Sequence, residues 1–143
     1  MGIWDTAGQQ KFARISSLYA KGAQAAILAF DLGDRESFET LPAYLEFLKE
    51  ADPDCYLVVI GTKRDMLDEG QEVRRVSEEE AKAFARTLRA PYFETSAKQN
   101  LMVAAVFDTI GHHCFAGRIT PNQLQAAEQP TRTGLLSHSI DLL

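Results

Sequence analysis

Three short polar segments of the chain each follow an apolar run, and each carries side chains able to hold a ligand. The first is Asp5-Thr6-Ala7-Gly8-Gln9-Gln10-Lys11-Phe12, directly after Gly2-Ile3-Trp4. An aspartate at the end of an apolar strand, here Asp5, can bind Mg²⁺, usually through water, because Mg²⁺ keeps much of its hydration shell. Gly8, three residues on, lets a backbone N–H come close to a phosphate. Gln9 beside it can orient an attacking water without acting as a base. Asp-x-x-Gly alone is a weak signal found in many loops. The intact Trp-Asp-Thr-Ala-Gly-Gln is a strong one.

The second segment is Gly61-Thr62-Lys63-Arg64-Asp65. A carboxylate such as Asp65 can accept two hydrogen bonds from a planar pair of N–H groups, which guanine's N1 and N2 edge offers and adenine's does not. The stem of Lys63 can lie against a flat base. A charged turn after a strand is the competing reading, and for this segment alone it is the better one. The third segment, Glu94-Thr95-Ser96-Ala97-Lys98, places small residues where backbone N–H groups could meet a base carbonyl, and alone it is ambiguous.

Such loops need strands behind them. Ala25 to Leu32 and Tyr56 to Gly61 are short, nearly continuous apolar runs, as expected for strands covered on both faces. Pro91 to Thr95 reads as a third, shorter strand. Phe38, Leu41, Leu45 and Leu48 recur at spacings of three and four and predict one helix, with Pro42 inside it costing a hydrogen bond or a bend. Ser77 and Glu80 form a capping box ahead of Ala81, Phe84, Ala85 and Leu88. Asn100 is the expected cap of a last helix, whose inward face is Val103, Val106, Phe107, Ile110 and Cys114. Strands alternating with helices imply a parallel sheet covered on both sides, with ligands bound at the carboxyl ends of its strands. After Arg118 the pattern dissolves into a Gln/Ser/Thr-rich stretch, so residues 1–118 read as the folded domain and 119–143 as a disordered tail. Within that tail, Leu135-Leu136 and Leu142-Leu143 could dock on a partner.

Bulk composition narrows the class. With 143 residues, 45% hydrophobic and 24% charged, the chain fits one soluble domain of ordinary size. A net charge of −5 argues against a nucleic-acid partner. Cys55 and Cys114 show no metal-ligand spacing and read as buried free thiols of a reducing compartment. No apolar run approaches the ~20 residues of a membrane span, and acidic Asp5 interrupts any hydrophobic leader. A cytoplasmic location is expected. Met1-Gly2 with Thr6 matches the myristoylation pattern but is set aside as chance, with Ile3-Trp4 read as part of a buried strand.

Taken together, in this order and at successive strand ends, the three segments resemble the nucleotide-binding motifs of the Ras superfamily of small GTPases. Gly2 to Gln9, the run Tyr19-Ala20-Lys21-Gly22-Ala23, and Leu28-Ala29-Phe30-Asp31 followed by Ser37-Phe38 look Rab-like. The resemblance covers about residues 2 to 115. It implies an α/β, P-loop NTPase-like doubly wound and mainly parallel sheet, GTP/GDP and Mg²⁺ as ligands, and effector and regulator proteins of Rab type as partners. For the complete family member it implies a switch in vesicle traffic that hydrolyses GTP, peripheral on endomembranes. By position, Asp5 matches the Mg²⁺-linked aspartate, Gly8 the glycine that senses the γ-phosphate and Gln9 the water-positioning glutamine. Thr62, Lys63 and Asp65 match the guanine-reading segment, and Ser96, Ala97 and Lys98 the loop that supports the base. Trp4, Phe12 and Tyr19 match aromatics of the effector-reading surface, with core packing the competing reading for Trp4 and Tyr19.

The match also has departures. Thr62 stands where most members have Asn, so one hydroxyl replaces a two-ended amide; weaker nucleotide affinity is expected, with guanine selectivity surviving through Asp65. Gly-x-x-x-x-Gly-Lys-Ser/Thr occurs nowhere in these 143 residues. The family's first strand, phosphate loop, first helix, first switch and second strand would all precede Gly2. On that reading Asp5 and Gln9 lack a phosphate to face, and chemistry by this chain alone is doubtful. A central strand would be missing too, leaving a gap of about 10 Å, an open sheet edge and marginal stability, with the best-formed part from Ala25 to about Phe115. The last residues, Ser139 to Leu143, hold no prenylation cysteine, so membrane association has no support from this C-terminus. A non-catalytic interaction module built on Phe12, Trp4 and Tyr19 is the alternative function. An unrelated doubly wound domain of the response-regulator or flavodoxin kind ranks well below both.

Overall fold

Residues 2–3 and 22–115 are described by the structure, a computed structural model. The apolar runs form the strands β1 (Ala25–Asp31), β2 (Tyr56–Thr62) and β3 (Tyr92–Glu94), hydrogen-bonded in that order and all parallel. The expected bounds of the third strand reappear as ladder bonds: Val59 N–H donates to Pro91 O at 3.0 Å and Thr95 N–H to Gly61 O at 2.7 Å. Register sets Asp31 beside Thr62 and Gly61 beside Glu94, so the carboxyl ends of all three strands finish level.

Helices cover both faces. On one side lie α1 (Arg35–Glu39), α2 (Leu41–Ala51) and α4 (Glu78–Thr87); on the other lies α5 (Val103–Phe115), while the short α3 (Arg64–Asp68) follows β2 directly. Successive strand residues face opposite ways. Val58 therefore packs under Val106 and Ile110 of α5, while Val59 joins Leu28, Phe30, Leu32, Phe38, Leu41 and Leu45 on the other face. Phe38 meets Phe30 and Phe84 edge-on, with ring centroids 4.9 and 5.5 Å apart. This two-sided covering is why the strand sequences are apolar without alternation.

Local expectations were revised in four places. The stripe from Phe38 to Leu48 is two helices, broken at Thr40, whose N–H donates to Glu36 O at 3.1 Å. Pro42 has no N–H for the Phe38 carbonyl four residues back, so α1 stops there. In α2 the same Pro42 lies in the first turn, where no donor is needed, and costs nothing. Ser77 Oγ does accept from Glu80 N–H, at 3.2 Å, but the Glu80 carboxylate goes to Arg35 of α1 through two 2.6 Å bonds. Asn100 is not the cap of α5. It adopts a left-handed φ of 53° inside a turn closed by paired Ser96 and Leu101 bonds of 3.2 and 2.9 Å, and α5 starts only at Val103. Gly2 and Ile3 carry no strand, and Ile3 is 67% exposed, with no ladder partner among the described residues.

Cys55 and Cys114 are free thiols, half-buried rather than buried; burial, then Asp52, pushes the Cys55 thiol up. No helix among the described residues is long and apolar enough to cross a membrane. The domain limit at 118, the tail 119–143 with its dileucine pairs, and the Met1 to Thr6 motif as a whole lie outside the described residues.

Candidate functional site

Two of the three candidate loops are described, and they meet. The loop after β2 turns at Lys63, whose φ of 60° and ψ of 36° are left-handed, a conformation that costs a non-glycine residue and needs surrounding bonds to hold it. Those bonds are present. Thr62 Oγ1 donates to Phe30 O at 2.9 Å, Leu32 N–H donates to Thr62 O at 3.2 Å, and Arg64 N–H donates to Thr95 O at 3.0 Å. The loop is thus stitched to β1 on one side and to the β3 loop on the other.

Asp65 lies in the first turn of α3 and is 5% exposed, an unusual place for a carboxylate. Its Oδ1 accepts from Ser96 Oγ at 2.5 Å, and Ser96, fully buried, takes the Gln99 N–H on the same hydroxyl at 3.0 Å. The hydroxyl is donor to one and acceptor from the other, so its single proton is committed. Within the loop expected to offer backbone N–H groups, the Ser96 N–H is spent on Leu101 O and its side chain fixes Asp65. Ala97 is exposed, and its carbonyl receives the Asn100 N–H at 3.3 Å.

The two lysines are paired. Lys63 Nζ lies 2.6 Å from Asp31 Oδ2, and that bond holds the ammonium above its ordinary value. Lys98 Nζ bonds both oxygens of Glu69 at 2.9 and 2.8 Å, which likewise raises it. Thr62, Lys63, Asp65, Ser96, Ala97 and Lys98 therefore all sit at the carboxyl ends of β2 and β3. Trp4, Asp5, Gly8, Gln9, Phe12 and Tyr19 lie outside the described residues.

Beneath the loops is a set of bonds the sequence did not announce. Glu94, at the end of β3, accepts from Arg74 Nη1 and Nη2 at 2.7 and 2.8 Å, from Arg64 Nη1 at 2.5 Å and from Tyr92 Oη at 3.0 Å. Burial alone would raise its pKa; Arg74, Tyr92 and Arg64 outweigh that and hold the carboxyl at about 2. Burial and the neighbouring Glu94 charge push the Tyr92 phenol up. Asp31 was also missed as a site residue, although an acid closing an apolar strand is the same signal that singled out Asp5. Arg74 gave no local signal, being 20 residues from its partner.

The arrangement can offer one fixed, nearly buried carboxylate and a lysine stem beside it, both at strand ends. Asp65 Oδ2, the oxygen that Ser96 leaves, takes no hydrogen bond among the described residues and can accept an N–H from a ligand.

Comparison with known proteins supplies the remaining finding. The Ras family model matches residues 1–116. The chain is similar to the Ras-related protein Rab-24 of Dictyostelium discoideum, 38% identical over 110 residues, covering 77% of this chain and 54% of that protein. It is similar to the GTP-binding protein YPTC5 of Chlamydomonas reinhardtii, 41% identical over 116 residues, 77% of this chain and 55% of that protein. Human Ras-related protein Rab-22A is 38% identical over 106 residues, 73% of this chain and 53% of that protein. The chain spans about half the length of these curated relatives.

Proposed function

Because the chain belongs to the Ras family and is Rab-like, we propose that it binds the guanine base of a nucleotide at the loops after β2 and β3, and that the whole protein serves as a GTP-hydrolysing switch in vesicle traffic. The observation that carries this reading is the nearly buried Asp65 carboxylate, held by Ser96 at 2.5 Å at the carboxyl end of a parallel sheet. A carboxylate fixed in this way, with little water around it, is a strong acceptor for a paired N–H edge. Guanine has that edge. The Lys63 stem would lie along the face of the base, and the β3 loop would close the other side of it.

The same reading gives Asp5 a water-mediated link to Mg²⁺, Gly8 contact with the γ-phosphate and Gln9 the placing of the attacking water. Mg²⁺ would supply charge neutralisation at the phosphates. Trp4, Phe12 and Tyr19 would form the surface read by effectors and regulators of Rab type. The family as a whole binds GTP, GDP and Mg²⁺, and the Rab names of the relatives favour membrane traffic over other switch roles.

The test is titration of a fluorescent GDP analogue, with Mg²⁺, into the 143-residue chain. Saturable binding that disappears in Asp65→Asn is the expected result. A folded chain that shows no saturation up to high micromolar nucleotide would defeat the proposal.

A further inference from the structure

Resting on the guanine-nucleotide reading, we propose that Asp31 is a positioning residue: it holds Lys63 stretched across the ends of β1 and β2 as a ready-made shelf for the face of the base. The lysine is tethered at both ends. Its backbone is locked in the left-handed turn at φ 60°, and its Nζ is 2.6 Å from Asp31 Oδ2. Asp31 is itself bonded on two sides. Its Oδ1 accepts the Gly33 N–H at 2.8 Å, and its own N–H donates to Ser37 Oγ at 2.9 Å. Only Oδ2 remains for the lysine.

Register makes the span short. Asp31 stands directly beside Thr62, the residue before Lys63, so the side chain has to cross one strand spacing, about 4.8 Å. The Lys63 side chain crossing that spacing is 58% exposed, whereas that of Asp31 is only 15% exposed. An open methylene surface at the mouth of the site is what a flat base needs to rest on.

The consequence belongs to binding more than to folding. Exposed ion pairs add little to fold stability. A free lysine, however, loses much of its rotamer freedom when a ligand pins it, and a lysine pinned beforehand does not. Asp65 reads the edge of the base; Asp31, through Lys63, prepares its face.

The experiment compares fluorescent GDP binding by the whole chain, Asp31→Asn, Lys63→Met and the double variant. Asparagine keeps an oxygen for the Gly33 N–H, removes the charge and puts an NH₂ donor where Oδ2 met the lysine. Asp31→Asn is expected to weaken GDP about 5- to 10-fold, and to add less than about twofold once Lys63 is already Met, as partners in one interaction should. Asp31→Glu, with the charge on a longer stem, should recover part of the loss, and it serves as the working comparison if the Asn variant loses its circular dichroism. Affinity within twofold of the parent in Asp31→Asn, or in Asp31→Glu and Lys63→Met together, would overturn the proposal, as when Lys63 moves to another acid. An undiminished effect in the Lys63→Met background would overturn it too, since Asp31 would then act by another route. In both cases, binding by the parent that Asp65→Asn abolishes leaves the nucleotide reading standing. A parent chain that binds no GDP removes both.

Discussion

Replacing Glu94 with Gln should weaken the fold in a way that only its bonded carboxylate explains. The side chain is 10% exposed and takes four hydrogen bonds, two from Arg74 and one each from Arg64 and Tyr92. Its carboxyl is held at about 2, against an ordinary 4.5. At 1.36 kcal/mol per pKa unit that difference is worth about 3 kcal/mol. The two arginine side chains are 31% and 36% exposed and can turn to water, which reduces the expected loss to about 2 kcal/mol. Glutamine keeps the shape but loses the charge, and its amide N–H₂ meets other donors. The sign with pH follows from a folded value below the unfolded one. The stabilisation is whole above about pH 4.5 and drains away as pH falls toward about 2. Urea unfolding followed by far-UV circular dichroism, at about pH 7, 4 and 2.5, should show parent and variant about 2 kcal/mol apart at neutrality and converging in acid. A gap below about 0.5 kcal/mol at neutral pH, or one that stays constant into acid, refutes this account.

Two further substitutions test the packing of the loops. Ser96→Ala leaves the Gln99 N–H and Asp65 Oδ1 without the buried hydroxyl between them; a loss of about 1–3 kcal/mol is expected, read as a lower melting temperature, and an unchanged melt would show that water replaces the hydroxyl. Gly61→Ala would put a Cβ 2.6 Å from Leu32 Cδ2 and 3.0 Å from Tyr92 Oη. The expected cost is about 1–3 kcal/mol, seen as a lower urea midpoint, and an unmoved midpoint would mean that Leu32 repacks freely.

What could be read from the sequence was what depends on neighbours along the chain. β1 and β2 were legible because a strand covered on both faces must be apolar throughout, and Ala25–Asp31 and Tyr56–Thr62 are almost that. The inward face of α5 was legible because Val106 and Ile110 keep helical spacing. The break between α1 and α2 was legible only as a cost or bend at Pro42, since the apolar period runs through Thr40 undisturbed; its cause is the donor that Pro42 cannot give to Phe38. Asn100 misled because a residue that caps helices also tolerates the left-handed turn, and the Ser96–Leu101 bridge chose the turn. The Glu94 cluster was beyond reach altogether. Its arginines lie 20 and 30 residues away, and only the fold brings them to one carboxylate.

That distance explains why this half of the site is rigid. The loop after β2 is held by side chains at the ends of the two strands beside it: Lys63 by Asp31 of β1, Arg64 by Glu94 of β3, Asp65 by Ser96 beyond β3. The pairs close only if the three strands end level, and the level is set by register, Asp31 beside Thr62 and Gly61 beside Glu94. A slip of one residue would turn Leu28 and Phe30 away from the buried face and carry Asp31 away from Lys63 in the same movement. The core residues that forbid the slip, Leu28, Phe30 and Val59, are therefore also what aims the loops. Hydrophobic packing in the middle of the sheet and polar recognition at its end are fixed by a single choice of register.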